Sequence, residues 1–291
     1  MFQEKVSIVL PSYNGEKFIR ESINSCLDQT YKSIELIIVD DGSTDKTSDI
    51  VKSYKDERII YLKHGKNLGQ ARALNTGFSN AAGGYLTWTS DDNIYLPSAI
   101  ETMVRALERG RKIDFVYANF YEINEDGEIL RPVKVRPPKS LNMVNYIGLC
   151  FLYKRIIYEE LGGYDPEAFL VEDYEYWLRV YHGRFRMKKL NQYLYYLRFH
   201  KDCLTVRYDS DEVAKQAQKV RDKYIPAALR YYQHGWRAFY KEKDHESAKK
   251  LLMKAVILNP FNYQAWRLLA LLYLNSTIVE KIRRFKRSLK P

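Results

Sequence analysis

The sequence predicts an α/β fold: a mostly parallel sheet flanked by helices, followed by a small all-helical extension. Three observations carry this. Over the first hundred residues, short β-branched runs alternate with stretches at helical spacing. Those runs are apolar on successive positions, as suits strands covered on both faces. Residues 209–280 carry no strand signal. Alternation of strands and helices argues successive parallel strands in a βαβ arrangement.

Val6-Ser7-Ile8-Val9-Leu10 reads as the first strand, ended by Pro11, and Leu36-Ile37-Ile38-Val39 as the second, ended by Asp40-Asp41-Gly42. Between them, Phe18, Ile19, Ile23 and Leu27 fall at helical spacing. Ser43-Thr44 offers an N-cap for a second helix through Ile50, Val51 and Tyr54. Residues 59–62 read as a third strand, 69–80 as a helix and 85–88 as a fourth strand. From about residue 112 the pattern changes. Asp114-Phe115-Val116-Tyr117 begins a strand, Asn124-Glu125-Asp126-Gly127 is a hairpin turn, and Pro132 with Pro137-Pro138 marks a loop. Residues 148–154 read as a buried strand, 172–181 as a helix and 192–199 as a tyrosine-rich strand. This second half reads as α+β, packed against the first. The expected domains are 1–208 and 209–291.

The 291 residues are 46% hydrophobic, enough for a sizeable core, and no apolar run is long enough to cross a bilayer. The N-terminus lacks the pattern of a secretory leader. Cys26, Cys150 and Cys203 are odd in number and lack metal-ligand spacing, as expected of buried free thiols in a reducing cytoplasm. Of the net charge of +11, residues 281–291 supply six cations and no acid. No nucleic-acid-binding motif accompanies that charge. Residues 278–290 interleave Ile278, Val279, Ile282, Phe285 and Leu289 with these cations, an amphipathic pattern suited to the inner face of the cytoplasmic membrane. A frayed chain end is the alternative.

Two acidic pairs follow strands. Asp40-Asp41-Gly42-Ser43 sits where open α/β sheets bind ligands, outside the carboxyl ends of strands, although such a segment is also ordinary turn chemistry. Asp91-Asp92 follows the fourth strand; adjacent carboxylates there repel unless a cation intervenes, and a hard divalent ion bridging to phosphates fits, with a cap for the helix that begins near Pro97 as the alternative. Glu172-Asp173 opens a helix, and either complements its dipole or supplies a base for a sugar hydroxyl.

In order along residues 5–205, the motifs resemble the family-two glycosyltransferases, enzymes of the GT-A fold. These are Val6-Ser7-Ile8-Val9-Leu10-Pro11-Ser12-Tyr13-Asn14-Gly15, the run from Glu35 to Asp45, Asn67-Leu68-Gly69, Ala71-Arg72 and Asn75-Thr76-Gly77. Ser90-Asp91-Asp92-Asn93-Ile94-Tyr95-Leu96-Pro97 is similar to the spore-coat polysaccharide branch. The resemblance implies a nucleotide-sugar site of Pro11, Tyr13, Asp41, Arg72 and Asp91. It also implies Asp92 with Asp91 as ligands of Mn2+ or Mg2+, Asp173 as the inverting base, and His200 near the diphosphate, although a lone histidine is also a common structural residue. The implied donor is a UDP-, GDP- or dTDP-sugar, and the implied acceptor a saccharide or lipid-linked saccharide. Thr89 stands where many members carry an acid, and the Gln-x-x-Arg-Trp motif of processive members is absent. Transfer of one hexose per encounter is the expectation.

Trp266, Leu269, Ala270 and Tyr273 resemble the first helix of a tetratricopeptide repeat, with Tyr232, Gly235, Trp236 and Phe239 one period earlier. Such an extension would bind a protein partner or a second copy of the chain. A catalytically silent interaction module is therefore the rival reading. A nucleotidyltransferase is disfavoured, because Pro11-Ser12-Tyr13-Asn14-Gly15 is no glycine-rich, basic phosphate loop. If the basic tail holds a membrane, the full chain sediments with anionic vesicles and a chain ending at Glu280 does not; equal sedimentation would sink the idea.

Overall fold

The computed structural model describes residues 4–110, 112–183 and 185–273. The basic stretch 278–290 lies outside the described residues. Four strands, β1 (Val6–Ser12), β2 (Ile34–Asp40), β3 (Ile59–Lys63) and β4 (Tyr85–Trp88), run parallel in the order β3-β2-β1-β4. Their crossovers contain α1 (Ile19–Leu27), α2 (Thr47–Ser53) and α3 (Gln70–Ser79). Val6, Ile8, Val9, Leu10 and residues 36–39 are fully buried, which is why these strands are apolar on consecutive positions.

The second half does not form a separate body packed on the first. Its strands extend the same sheet: β5 (Ile94–Tyr95), β6 (Phe115–Ile123), β7 (Ile129–Val133), β8 (Phe151–Lys154) and β9 (Met187–Arg198) complete a nine-stranded order β3-β2-β1-β4-β8-β6-β9-β5, with β7 beside β6. Antiparallel β8 joins the halves, pairing with β4 through Leu86 and Tyr153 and with β6 through Val116 and Leu152. Pro132, expected in a loop, lies in β7, an exposed strand paired only with β6, where its missing N–H is tolerated. Also in this half are α4 (Ala99–Arg109), α5 (Arg155–Leu161), α6 (Glu172–His182), α7 (Leu204–Arg207) and α8 (Ser210–Tyr224).

Ser43 and Thr44 do not cap α2, which begins at Thr47. The Ser43 hydroxyl accepts the Asn14 N–H at 2.9 Å, joining the turns after β1 and β2. Behind the sheet edge, Phe115, Phe151, Tyr153, Tyr164, Tyr176 and Trp177 form a buried aromatic core with ring centroids 4.4–6.5 Å apart. Glu175 and Arg179 form an ion pair on α6, and Arg179 also donates to the carbonyls of Leu161 and Gly163. The loop between α5 and α6 is thereby fixed to the helix that begins at Glu172.

The chain divides into two compact units between Val220 and Arg221, within α8, so most of that helix belongs with the first unit, past the 208/209 boundary expected from the loss of strand signal. The second unit contains α9 (Ala227–Arg237), a wider π turn at Ala238–Glu242, α10 (His245–Leu258) and α11 (Tyr263–Tyr273). Leu252, Ala255, Val256, Ala265, Leu268 and Leu269 form its core, and a Cβ on Gly235 would come within 2.7 Å of Leu252.

Gly77 lets α3 lie directly on β1, since a Cβ there would meet Val9 Cγ1 at 2.3 Å. Gly77→Ala is expected to lower the unfolding free energy by about 1–3 kcal/mol in urea titration, the range for overpacking a tight contact. Unchanged stability would show that this contact is looser.

Candidate active site

The parallel strands β1, β2 and β4 all release their turns at one edge of the sheet, which carries Asp41, Asp91 and Asp92. Ser12, at the end of β1, donates its hydroxyl to Asp91 Oδ2 at 2.5 Å. A Cβ on Gly15 would approach that same Oδ2 to 2.1 Å, so only glycine leaves room for Asp91. Burial first, and the Asp92 charge second, push the Asp91 carboxyl up to about 7; the Ser12 hydrogen bond opposes the rise.

Asp92 is held from the opposite side. Its Oδ2 lies 3.1 Å from His200 Nε2, and its backbone oxygen accepts from Arg198 Nε at 2.9 Å. Its Oδ1 is buried and, among the described residues, has no hydrogen-bond partner. An orphaned carboxylate oxygen is costly unless something positive completes it, and a divalent cation held by oxygen ligands meets that need. The Asp91–Asp92 turn therefore suits such an ion.

Arg198 is 3% exposed and organises this turn. Its N–H donates to Asn93 Oδ1, Nη1 to the Glu125 carbonyl and Nη2 to Glu21 on α1, while its guanidinium lies 4.5 Å from the Phe18 ring. His200 also packs against that ring, with centroids 4.9 Å apart. Cys203, expected as a buried thiol, is instead partly exposed beside His200, whose N–H lies 3.1 Å from Sγ. Cys26 and Cys150 are buried as expected.

Asp41 is 3% exposed and accepts from His64 Nδ1, Leu68 N–H and Gly69 N–H at 2.7–2.9 Å. It anchors the loop before α3, which explains the Asn67-Leu68-Gly69 motif. A carboxylate offers about four acceptor positions, so one remains. Asp40 is fully enclosed by Ser43, Tyr61 and Lys63. Tyr13 is 46% exposed, Pro11 is partly buried, and Arg72 is exposed on α3 with Nη1 on the Leu68 carbonyl.

Thr89, in the position where an acid was the common pattern, is fully buried and paired with Tyr195 at 2.6 Å. Its hydroxyl belongs to the core rather than to the acidic turn.

Asp173 stands at the start of α6. Asn145 Nδ2 donates to its Oδ2 at 2.7 Å and the Tyr174 N–H to its Oδ1 at 2.6 Å. Burial nevertheless raises its pKa. Two residues ahead of Glu172, Leu170 has φ 69°, a left-handed conformation that costs a branched residue about 1–3 kcal/mol and that concentrates at functional sites. Tyr164 links this region to β4: its hydroxyl accepts from Trp88 Nε1 at 2.9 Å, and its backbone exchanges two hydrogen bonds with Asn75. Hydrogen bonds thus join Ser12 to Asp91 and Asp92 to His200, whereas Asp173 is held separately by Asn145 and the Tyr174 N–H. Sequence reasoning missed Ser12, Gly15, Asn145 and Tyr164, and gave Arg198 and Cys203 no part in the site. The one available signal was Arg198, a cation inside a tyrosine-rich strand.

Glu172, 7% exposed, is pushed up to about 7 by burial and then by Asp173. The unfolded chain ionises it near 4.5, so the folded form binds this proton more tightly. Its destabilising contribution is absent below about pH 4 and grows until about pH 7. Glu172→Gln should remove that slope, gaining on the order of 3 kcal/mol relative to wild type between acid and neutral pH in urea titrations. Parallel pH profiles for the two proteins would refute it.

Residues 7–173 match the Glycosyl transferase family 2 domain. The chain is 34% identical over 192 residues to an uncharacterized glycosyltransferase of Rickettsia prowazekii, a match covering 62% of this chain and 60% of that protein. A Rickettsia conorii relative is matched over only 32% of its length. This chain is 32% identical over 200 residues to WfaP of Escherichia coli, a UDP-Glc:alpha-D-GlcNAc-diphosphoundecaprenol beta-1,3-glucosyltransferase, covering 68% of this chain and 78% of that one. Among solved structures, TarS of S. aureus with UDP-GlcNAc aligns at TM-score 0.62 and 16% identity over 87% of this chain and 81% of the other. The mannosyltransferase PcManGT of Pyrobaculum calidifontis, with GDP-Man and Mn2+, aligns at TM-score 0.57 and 18% identity over 100% of this chain and 82% of the other. These structural likenesses identify the fold as GT-A-like, and the domain match over more than half of the sequence places the chain in glycosyl transferase family 2.

Proposed function

We propose that the chain transfers a hexose from a nucleoside-diphosphate sugar to a hydroxyl of a saccharide or lipid-linked acceptor, inverting the anomeric carbon and releasing product after each transfer. The buried, unpartnered Oδ1 of Asp92 carries this reading, because it marks a place for positive charge at the ligand-binding edge of the sheet. Asp92 and Asp91 would hold Mn2+ or Mg2+, which supplies Lewis-acid neutralisation of the departing diphosphate. Support for nucleotide sugars comes from the UDP-GlcNAc and GDP-Man bound by the structural neighbours, and support for a lipid-linked acceptor from the name of WfaP.

The remaining roles fall to this chain's residues. Tyr13 offers an open ring face to a base, Pro11 a rigid wall beside it, and Asp41 its remaining acceptor position to a base N–H. Arg72 and His200 would meet the diphosphate. Asp173 takes the acceptor's hydroxyl proton, the freed oxygen bonds to the anomeric carbon, and the carbon–oxygen bond to the diphosphate breaks. Burial that raises Asp173 makes it a better proton acceptor than an exposed aspartate. The helical extension would present a face to a protein partner or a second copy, and residues 278–290 a basic face to anionic lipid.

The test combines binding with transfer. Wild type should bind UDP, GDP or dTDP more tightly with Mn2+ than without, and Asp92→Ala should lose that gain. Asp173→Asn should keep donor binding while transfer, followed by nucleotide release across a panel of nucleotide sugars, falls by about 10²–10⁴-fold. A wild-type chain that binds no diphosphonucleoside with any metal would instead be a silent interaction module.

A further inference from the structure

Resting on Asp92 as a cation ligand in the proposed site, we propose that Asp92, His200 and Cys203 form a mixed oxygen–nitrogen–sulfur site that selects Zn2+ or Co2+ over Mg2+. One carboxylate oxygen of Asp92, one ring nitrogen of His200 and Sγ of Cys203 all lie within 4.8 Å of one another. The Asp92–His200 separation is 3.1 Å, and Asp92 Oδ1 is buried without a partner. A tetrahedral Zn2+ with bonds of about 2.0–2.3 Å places its ligand atoms roughly 3.3–3.6 Å apart. Closing the cluster onto such an ion therefore takes about 1 Å of movement by the sulfur.

The local architecture permits that movement. Cys203 is partly exposed and precedes the single turn of α7, so its side chain is not locked in the core. The His200 N–H donates to Sγ at 3.1 Å, while burial raises the thiol's pKa, so it is the arriving metal that drives its ionisation. The thiol proton, which now points to the His200 carbonyl at 2.9 Å, passes to solvent when the metal binds. Ligation through Nε2 also replaces the proton shared with Asp92, and the 3.3 Å bond from the Asp202 N–H to Nδ1 gives way.

The chemistry of the donor set decides the ion. Thiolate with imidazole suits Zn2+ and its tetrahedral surrogate Co2+, whereas Mg2+ takes oxygen ligands in octahedral geometry. Thr89 is turned into the core and Asp91 Oδ2 is engaged by Ser12, so the donors that converge with Asp92 here are nitrogen and sulfur. Zn2+ at this position takes up the same Asp92 that would serve the donor's ion, so a soft ion competes with nucleotide-sugar binding.

The experiment titrates metal-free full chain with Co2+ alone and follows sulfur-to-cobalt charge transfer in the near ultraviolet. Calorimetry with Zn2+ alone runs in parallel. Wild type should show the charge-transfer band, and Cys203→Ser should lack it and bind Zn2+ with more than the roughly 10–100-fold loss typical of an outer-shell partner. Asp92→Asn should weaken Zn2+ binding too. No band in wild type, or a band that persists in Cys203→Ser, overturns the site. Mn2+-supported nucleotide binding by wild type separates the two readings. Binding without a cobalt band overturns the thiolate site alone, and a cobalt band without nucleotide binding overturns the donor reading alone.

Discussion

A single buried cation, Arg198, holds the edge of the sheet around the Asp91–Asp92 turn together. From the end of β9 it reaches the Asp92 carbonyl, the Glu125 carbonyl on the β6–β7 hairpin and the Glu21 carboxylate on α1, while stacking over Phe18. Each contact belongs to a different part of the chain. A guanidinium suits this because its planar fork offers five donors in fixed directions. Remove it and three segments lose their common anchor, with the Asp91–Asp92 turn left to Ser12 and His200. The cost of burying such a charge is offset only by the number of well-placed acceptors around it.

Around that anchor the site is organised by contrasts in burial. Asp40 and Asp41 are neighbours in sequence, yet one is enclosed by Ser43, Tyr61 and Lys63, and the other holds the loop before α3. Asp91 and Asp92 are likewise adjacent, but one faces a serine hydroxyl and the other a histidine. Residue identity alone does not separate these roles. The direction in which each side chain leaves its strand end does.

The legible parts of the fold were those written locally. The first four strands announced themselves as consecutive apolar residues because both faces are covered. β5 escaped notice because two residues are too few for any periodicity, and Pro132 disguised β7 as a loop. The joining of both halves into one sheet was invisible, since it depends on β8 pairing with strands distant in the chain. In the site, the paired aspartates could be read from their place after buried strands. Ser12, Asn145 and Cys203 could not, because serine, asparagine and cysteine serve so many ends that only a contact reveals which one applies.

The continuous sheet has a mechanical consequence. β4, which releases the Asp91–Asp92 turn, and β8, which leads through α5 to the helix bearing Asp173, are hydrogen-bonded neighbours. Adjacent strands keep a spacing of about 4.8 Å, and changing it means breaking ladder bonds. The sheet thus acts as a ruler for its own strands: it sets the gauge between β4 and β8, much as sleepers set the distance between rails. Loops at its edge can be rebuilt for a different cargo while the track width stays the same.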